Sequence, residues 1–331
     1  MRRLGLQSLP MAFAVWLSAF PPAQAQTQAQ SQVQDWPARP VRIIIPLGAG
    51  GGGDVFARLL AEELRKRLGQ PFVVENRTGG ALNIGMRACA ESPPDGYTFC
   101  ITSSEPIVYN QFLFKTLPFN PETDFEPITN LFFNPVAVVA NAGLKIGTLD
   151  EMMALAKAKP GTLSYSTFSF PLVAFMDKMN KKHGVDIIHV PYRSGNEVVN
   201  GVVSGTTPIA ILGLSNMLAQ VRAGAIVGIA LNANSRSPLF PDIPTLQEAS
   251  GEDFPPAWFG LFAPKGTPKP IIEKLHSEVV RIASDSDFRQ KNFIERAIDY
   301  AINTPDEFAK FIVKDRASAG RIVSESGKQP Q

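Results

Sequence analysis

The sequence predicts an α/β protein of two lobes, each a sheet flanked by helices, with the first lobe assembled from both ends of the chain. Three observations lead there. Short aliphatic strands alternate with helix-period segments between 41 and 102. The same alternation returns between 149 and 231. Beyond 258 the chain reads as mostly helical, with too few strands for a domain of its own, so it is expected to return to the first sheet. The expected division is 36–136 plus 258–331 for the first lobe and 137–257 for the second. The chain then crosses between lobes twice, and open α/β sheets bind ligands in such a crevice.

In the first lobe, VRIIIPL (41–47) reads as a strand. A helix follows over 54–68, with Val55, Leu59, Leu60 and Leu64 on one face, Asp54 placed to cap it and Gly69 to stop it. FVVE (72–75) is a second strand, 83–91 a short helix, and YTFCIT (97–102) a third strand after the turn PPDG. This βαβαβ order implies a parallel sheet with crossover helices. A strand over 135–140 leads out. In the second lobe, helices over 149–159, 172–182, 196–204 and 215–223 alternate with strands over 163–166, 186–190, 208–212 and 226–231. The loop 235–245, with three prolines, closes that unit. Helices are expected over 268–284, near 287–295 and over 305–324.

The ends and totals bound the setting. Arg2 and Arg3, an apolar run over 9–20 and Ala23-Gln24-Ala25 have the pattern of a secretory signal over 1–25. The paired arginines raise twin-arginine export, but the residues after Arg3 fit that signal poorly. A Gln-rich tract over 26–35 reads as a flexible leader. The expected location is therefore the periplasm. The chain has 32 basic and 30 acidic residues, and loss of Arg2 and Arg3 would make them equal. With no long run of one sign, that balance argues against nucleic acid or an acidic membrane surface as partner. Cys89 and Cys100 are expected on a helix and the strand after it, and both a disulfide and two buried thiols stay open. His183, His189 and His276 share no ligand spacing, so no metal site is expected, and no cofactor.

Between the first strand and helix stand five glycines in six positions, Gly48 and Gly50 to Gly53. A strand emptying into such a loop and then a helix is built to hold an anion. Gly48, Gly50 and Gly53 spell the dinucleotide pattern G-x-G-x-x-G, and Glu75 ends the second strand. Export, the intervening Pro46 and Leu47, and the ease of such matches within a glycine cluster weigh against a nucleotide. A phosphate loop is excluded, because Asp54 stands where it would repel phosphate and no Gly-Lys-Ser/Thr follows. A carboxylate needs only two or three N–H donors, which Gly50–Gly53 can supply.

The whole chain after 36 is similar to the periplasmic solute receptors of tripartite tricarboxylate transporters, also called Bug receptors. The resemblance lies in WPARPVRIIIPLGAGGGGDVFAR (36–58), LGQPFVVENRTGG (68–80), PPDGYTFCITSS (93–104), LPFNPETDFEPIT (117–129), GVDIIHVPYRSG (184–195), RSPLFPDIPTLQEA (236–249) and WFGLFAPKGTP (258–268). It implies a two-lobed Venus-flytrap receptor, monomeric, that closes on a small organic solute, commonly a carboxylate, for a membrane permease. It further implies ligand contacts through Gly50, Gly51, Gly52, Gly53 and Asp54 and through Thr102, Ser103 and Ser104, though these hydroxyls also suit strand-end capping.

The second lobe departs from the family. SYSTFSFPLVAF (164–175) is about four residues shorter than the family's usual Gly/Ser/Asn-rich segment, lacks glycine, and carries Phe168 and Phe170, with Pro171 where histidine is usual. Leu212 takes the place of an aspartate. These changes, with Thr167 and Ser169 beside them, imply a ligand with an apolar or aromatic body, a monocarboxylate in preference to a dicarboxylate or amino acid. Core packing of the two phenylalanines is the competing reading. Tyr192, Arg193, Ser194 and Gly195 open the next helix, and Arg193 is a candidate cation near the ligand. No G-x-S-x-G elbow or Cys–His arrangement points to an enzyme. A receptor needs only differential affinity of its closed state, and a sensor partnered with a membrane signalling protein would use the same cleft.

Overall fold

The computed structural model describes residues 35–331 except 193, 234 and 253. The signal expected over 1–25, the leader up to 34 and Arg193 lie outside the described residues. Residues 37–331 form one unit, with its strands in two mixed sheets.

The chain opens with β1 (Val41–Ile45), α1 (Gly52–Leu68), β2 (Phe72–Asn76), α2 (Asn83–Ala90) and β3 (Thr98–Ser103). β1 pairs in parallel with both β2 and β3, as the βαβαβ order requires. One wide turn, Glu105–Tyr109, runs into α3 (Asn110–Leu113). Then come β4 (Phe125–Asn134) and, after Pro135 alone, β5 (Val136–Asn141), so one extended stretch leaves the first sheet and enters the second.

The second sheet is built from β5, α4 (Leu149–Ala158), β6 (Ser164–Thr167), α5 (Phe170–His183), β7 (Ile188–Pro191), α6 (Gly195–Ser204), β8 (Ile209–Gly213), α7 (Leu218–Arg222) and β9 (Ile226–Asn232). Its order is β7-β6-β8-β5-β9, with β5 antiparallel to β8 and β9. The helix expected over 215–223 is broken instead. Leu214–Asn216 is a tight 3-10 turn, and only Leu218–Arg222 is α-helical. The Leu214 N–H donates to Pro135 O, which ties this turn to the crossing strand before the helix starts.

After α8 (Leu246–Ser250) the chain returns through β10 (Ala257–Pro264), α9 (Lys269–Ser284), α10 (Ser286–Asn292), β11 (Asp299–Tyr300) and α11 (Pro305–Ser326). The first sheet has the order β11-β4-β10-β3-β1-β2, and β10 is antiparallel to both β3 and β4. The expected parallel unit is thus extended by antiparallel strands that the sequence reading did not place. β4 (FEPITNLFFN) and β10 (AWFGLFAP) are largely buried on both faces and lack the alternation that marks a half-exposed strand.

On one face of the first sheet Phe132 stacks on Phe259 with ring centroids 4.7 Å apart, and Phe56 of α1 lies 4.7 Å from Phe132. On the other, Trp258 meets Phe308 and Phe311 of α11 edge to face. The Trp258 indole N–H donates to Asp315 across 2.7 Å. Cys89 of α2 and Cys100 of β3 are joined in a disulfide, both wholly buried, with Cα atoms 6.2 Å apart.

Candidate functional site

The glycine loop faces the second lobe. Asn196 Nδ2, on α6, donates to Ala49 O at 3.1 Å. The Gly52 N–H donates to Asn216 Oδ1 at 2.9 Å, and Asn216 is aimed by its own amide, which donates to Gly213 O. A third link lies at the ends of β3 and β6, where Ser169 Oγ donates to Glu105 Oε1 at 2.6 Å. These contacts mark the seam, with strand ends and helix starts from both sheets meeting there.

Asp54 is not the helix cap that its position suggested. Gly51 is the N-cap and makes no side-chain bond, while Asp54 sits in the first turn and reaches back to the Gly50 N–H at 2.9 Å. Its other oxygen accepts from Asn76 Nδ2, which also donates to Leu47 O, and Arg58 Nε closes the set at 3.0 Å. Burial pushes the Asp54 pKa up, but the bonds from Arg58, Gly50 and Asn76 outweigh it and hold the carboxyl below its ordinary value. The Asp54 carboxylate is thus an internal anchor of the loop. Gly50 has φ +82°, a left-handed conformation that suits glycine.

The loop was expected to offer free N–H groups. Two are already engaged, Gly50 with Asp54 and Gly52 with Asn216. The hydroxyls at the end of β3 are different. Thr102 Oγ1 and Ser103 Oγ are buried with no partner, as is Ser215 Oγ across the seam. Strand-end capping does not use them. Ser104, also buried, precedes the wide turn without a side-chain cap.

The second-lobe residues divide. Thr167 Oγ1 accepts from the Ser169 N–H. Phe168 is half-buried against the second-lobe cluster containing Val198 and Leu214, and Phe170 against the first-lobe cluster containing Phe308 and Ile312. Leu212, 3% exposed, belongs to the same core as Val198 and Val202. Ser194 spends its hydroxyl capping α6, and Tyr192 spends its own on Thr207 Oγ1 at 2.9 Å. Gly195 is the first residue of that helix.

Sequence reasoning missed Glu105, Asn196, Ser215 and Asn216. The last two carried a signal, as a polar pair directly after an apolar strand. Glu105 carried a weaker one, a charge following three hydroxyl residues at a strand end. Elsewhere, an open groove of about 530 Å³ is lined by Arg67, Arg281, Glu63 and Asp285, but Arg67 and Arg281 both pair with Glu278. No group of three or more metal-ligating side chains occurs among the described residues, and no helix there is long and apolar enough to cross a membrane.

Comparison with known proteins adds to this geometry. A family model described as the tripartite tricarboxylate transporter family receptor matches residues 56–328. Protein BugT of Bordetella pertussis is 31% identical over 309 residues, 92% of this chain and 94% of that protein. A solved periplasmic transporter superposes with a TM-score of 0.83 at 30% identity, over 89% of this chain and 99% of its own. An R. palustris protein solved with adipate gives a TM-score of 0.84 at 26% identity, over 89% and 100%.

Proposed function

The chain belongs to the tripartite tricarboxylate transporter receptor family, and on that premise we propose that it captures a small organic carboxylate at the seam between its lobes and delivers it to the membrane permease of such a transporter. It is a binding receptor, as its relatives are, and not an enzyme. In this reading the signal over 1–25 directs it to the periplasm. The observation that carries the ligand class is the buried, unpartnered hydroxyl of Ser215 facing Gly52 across the seam, with two more such hydroxyls, of Thr102 and Ser103, at the end of β3. Buried polar groups are normally paired, and hydroxyls can donate to a carboxylate. The N–H groups of Gly51 and Gly53 add donors, since the start of a helix leaves such groups without an intrahelical partner.

Support for an apolar body rests on Phe168 and Phe170, which are only half-buried; Leu212 adds nothing to it, being a core residue. A relative's adipate keeps dicarboxylates in the comparison. The test is a thermal-shift panel of aliphatic and aromatic monocarboxylates, dicarboxylates, amino acids and NAD. A ligand at a hundred times its Kd adds about 2.7 kcal/mol of stability. An apolar monocarboxylate is expected to raise Tm while succinate and NAD do not. A response to dicarboxylates alone would leave the carboxylate reading and remove the apolar one, and no response to any carboxylate would remove both.

A further inference from the structure

The seam holds an acidic group that the carboxylate reading leaves unused. Glu105 opens the wide turn after β3, and its Oε1 accepts from Ser169 Oγ of the opposite lobe at 2.6 Å. Its Oε2 is buried and has no partner. The turn brings Tyr109 round behind it. Tyr109 is 1% exposed, and its hydroxyl likewise has no partner. Asp315 of α11 lies close enough for both acids to act on that hydroxyl, so burial first, then Asp315 and Glu105, push the Tyr109 pKa well up. Burial and the charge of Glu105 also raise the Asp315 pKa, against the opposing bond from Trp258.

Among the described residues the site shows no cation paired with these acids, Glu105 and Asp315. A carboxylate oxygen removed from water and left unpaired is costly. A hydroxyl or N–H group of the protein has not satisfied it, although Ser169 satisfies its twin.

Building on the carboxylate reading above, we propose that Glu105 is a specificity-determining contact and that its free oxygen accepts from an ammonium group carried by the solute. The ligand is then a small zwitterion. Its carboxylate is held by the glycine loop and the Thr102, Ser103 and Ser215 hydroxyls, its ammonium by Glu105, with the Tyr109 hydroxyl beside it. This departs from the sequence-based preference for a monocarboxylate over an amino acid, because Glu105 was not part of that reasoning. It also accounts for an acid at the rim of a site built for an anion: the charge repels a second carboxylate at that end.

The experiment is isothermal titration of the full mature chain with matched straight-chain series of four to six carbons, ending in methyl, ammonium or carboxylate opposite the binding carboxylate. At the best length the ω-amino acid is expected to bind about tenfold or more tighter than the methyl-terminated acid, the scale of one charge-assisted hydrogen bond, and the dicarboxylate weakest. Glu105→Gln should remove most of that amine preference and improve the dicarboxylate, with the methyl series little changed. The wild-type ranking stands without the variant, so a poorly folding Glu105→Gln would not rescue the idea. A dicarboxylate equal to or tighter than the ω-amino acid would overturn it. A ranking untouched by Glu105→Gln would overturn it too. If no member of any series binds, the carboxylate reading itself fails; if the methyl and carboxylate series bind and ammonium brings no gain, only the Glu105 proposal fails.

Discussion

Neighbouring glycines in the loop serve different masters. A Cβ on Gly52 would come within 2.3 Å of Ser215 Oγ and 3.3 Å of Ser215 Cβ, across the seam. A Cβ on Gly53 would come within 2.4 Å of a Phe259 ring carbon, inside the first-lobe core. Gly52→Val is therefore expected to weaken ligand binding tenfold or more while leaving the Tm of the free protein nearly unchanged, since parting the lobes relieves the clash. Gly53→Val should instead cost about 1–3 kcal/mol in urea denaturation, the scale of an overpacked core. Equal effects of the two on ligand-free Tm would refute this division. Asp315 supplies a pH test. Its folded pKa is raised, chiefly by burial, so the folded state binds this proton more tightly than the unfolded chain, and stability is lost as pH rises through the raised value. Asp315→Asn keeps an acceptor for Trp258 and removes the titration. Its Tm should exceed that of the wild type near neutral pH, with the gap closing as pH falls toward 4, the ordinary carboxylate range. A gap that widens on acidification would contradict the assignment. At this scale the glycine loop was legible from residue type, while the β3 hydroxyls were singled out by the family resemblance. The partner of each was not legible. Asp54 looked like a cap and is instead bonded to Gly50, Asn76 and Arg58, which only the folded loop brings together.

The elements that sequence found are those with period. α1 carries its apolar stripe and ends at Gly69 in a left-handed turn with an N–H bond to Arg65 O. α11 opens with Thr304 and Glu307 bonded reciprocally, the signature of a capping box. β4 and β10 escaped because strands buried on both faces have no alternation to read, and because Pro127 and Gly260 within them look like breaks. The 83–90 helix and the 98–103 strand were both legible, but whether their cysteines joined was decided by the packing of α2 on β3. That bond closes a short loop inside the first-lobe core. A Cys89→Ala, Cys100→Ala double variant is expected to lose about 3 kcal/mol in chemical denaturation, with the order of ligand affinities unchanged. A changed order would show that the disulfide shapes the glycine loop or the β3 end directly.

Over the whole molecule, the alternation of elements revealed two α/β lobes, and the helical tail foretold a return to the first sheet. The manner of return was hidden, since it depends on β10 entering between β3 and β4. That insertion has a consequence for how the protein comes to exist. When the chain has emerged only as far as Asn134, β3 and β4 both present apolar edges with no strand to pair them, and β4 contains the segment LFFN. Unpaired edges of this kind are aggregation hazards. They wait for more than a hundred residues of the second lobe to be made and delivered before β10 arrives. The second sheet has no such debt, because β5 to β9 are contiguous. Refolding should thus protect amides of Val138 and Ala210 before those of Ile101 and Leu261, as pulse-labelled hydrogen exchange would reveal; simultaneous protection would deny the delay. A holding chaperone would find its grip on the early half of this chain, between residues 98 and 134, and would be released by the strand that begins at Ala257.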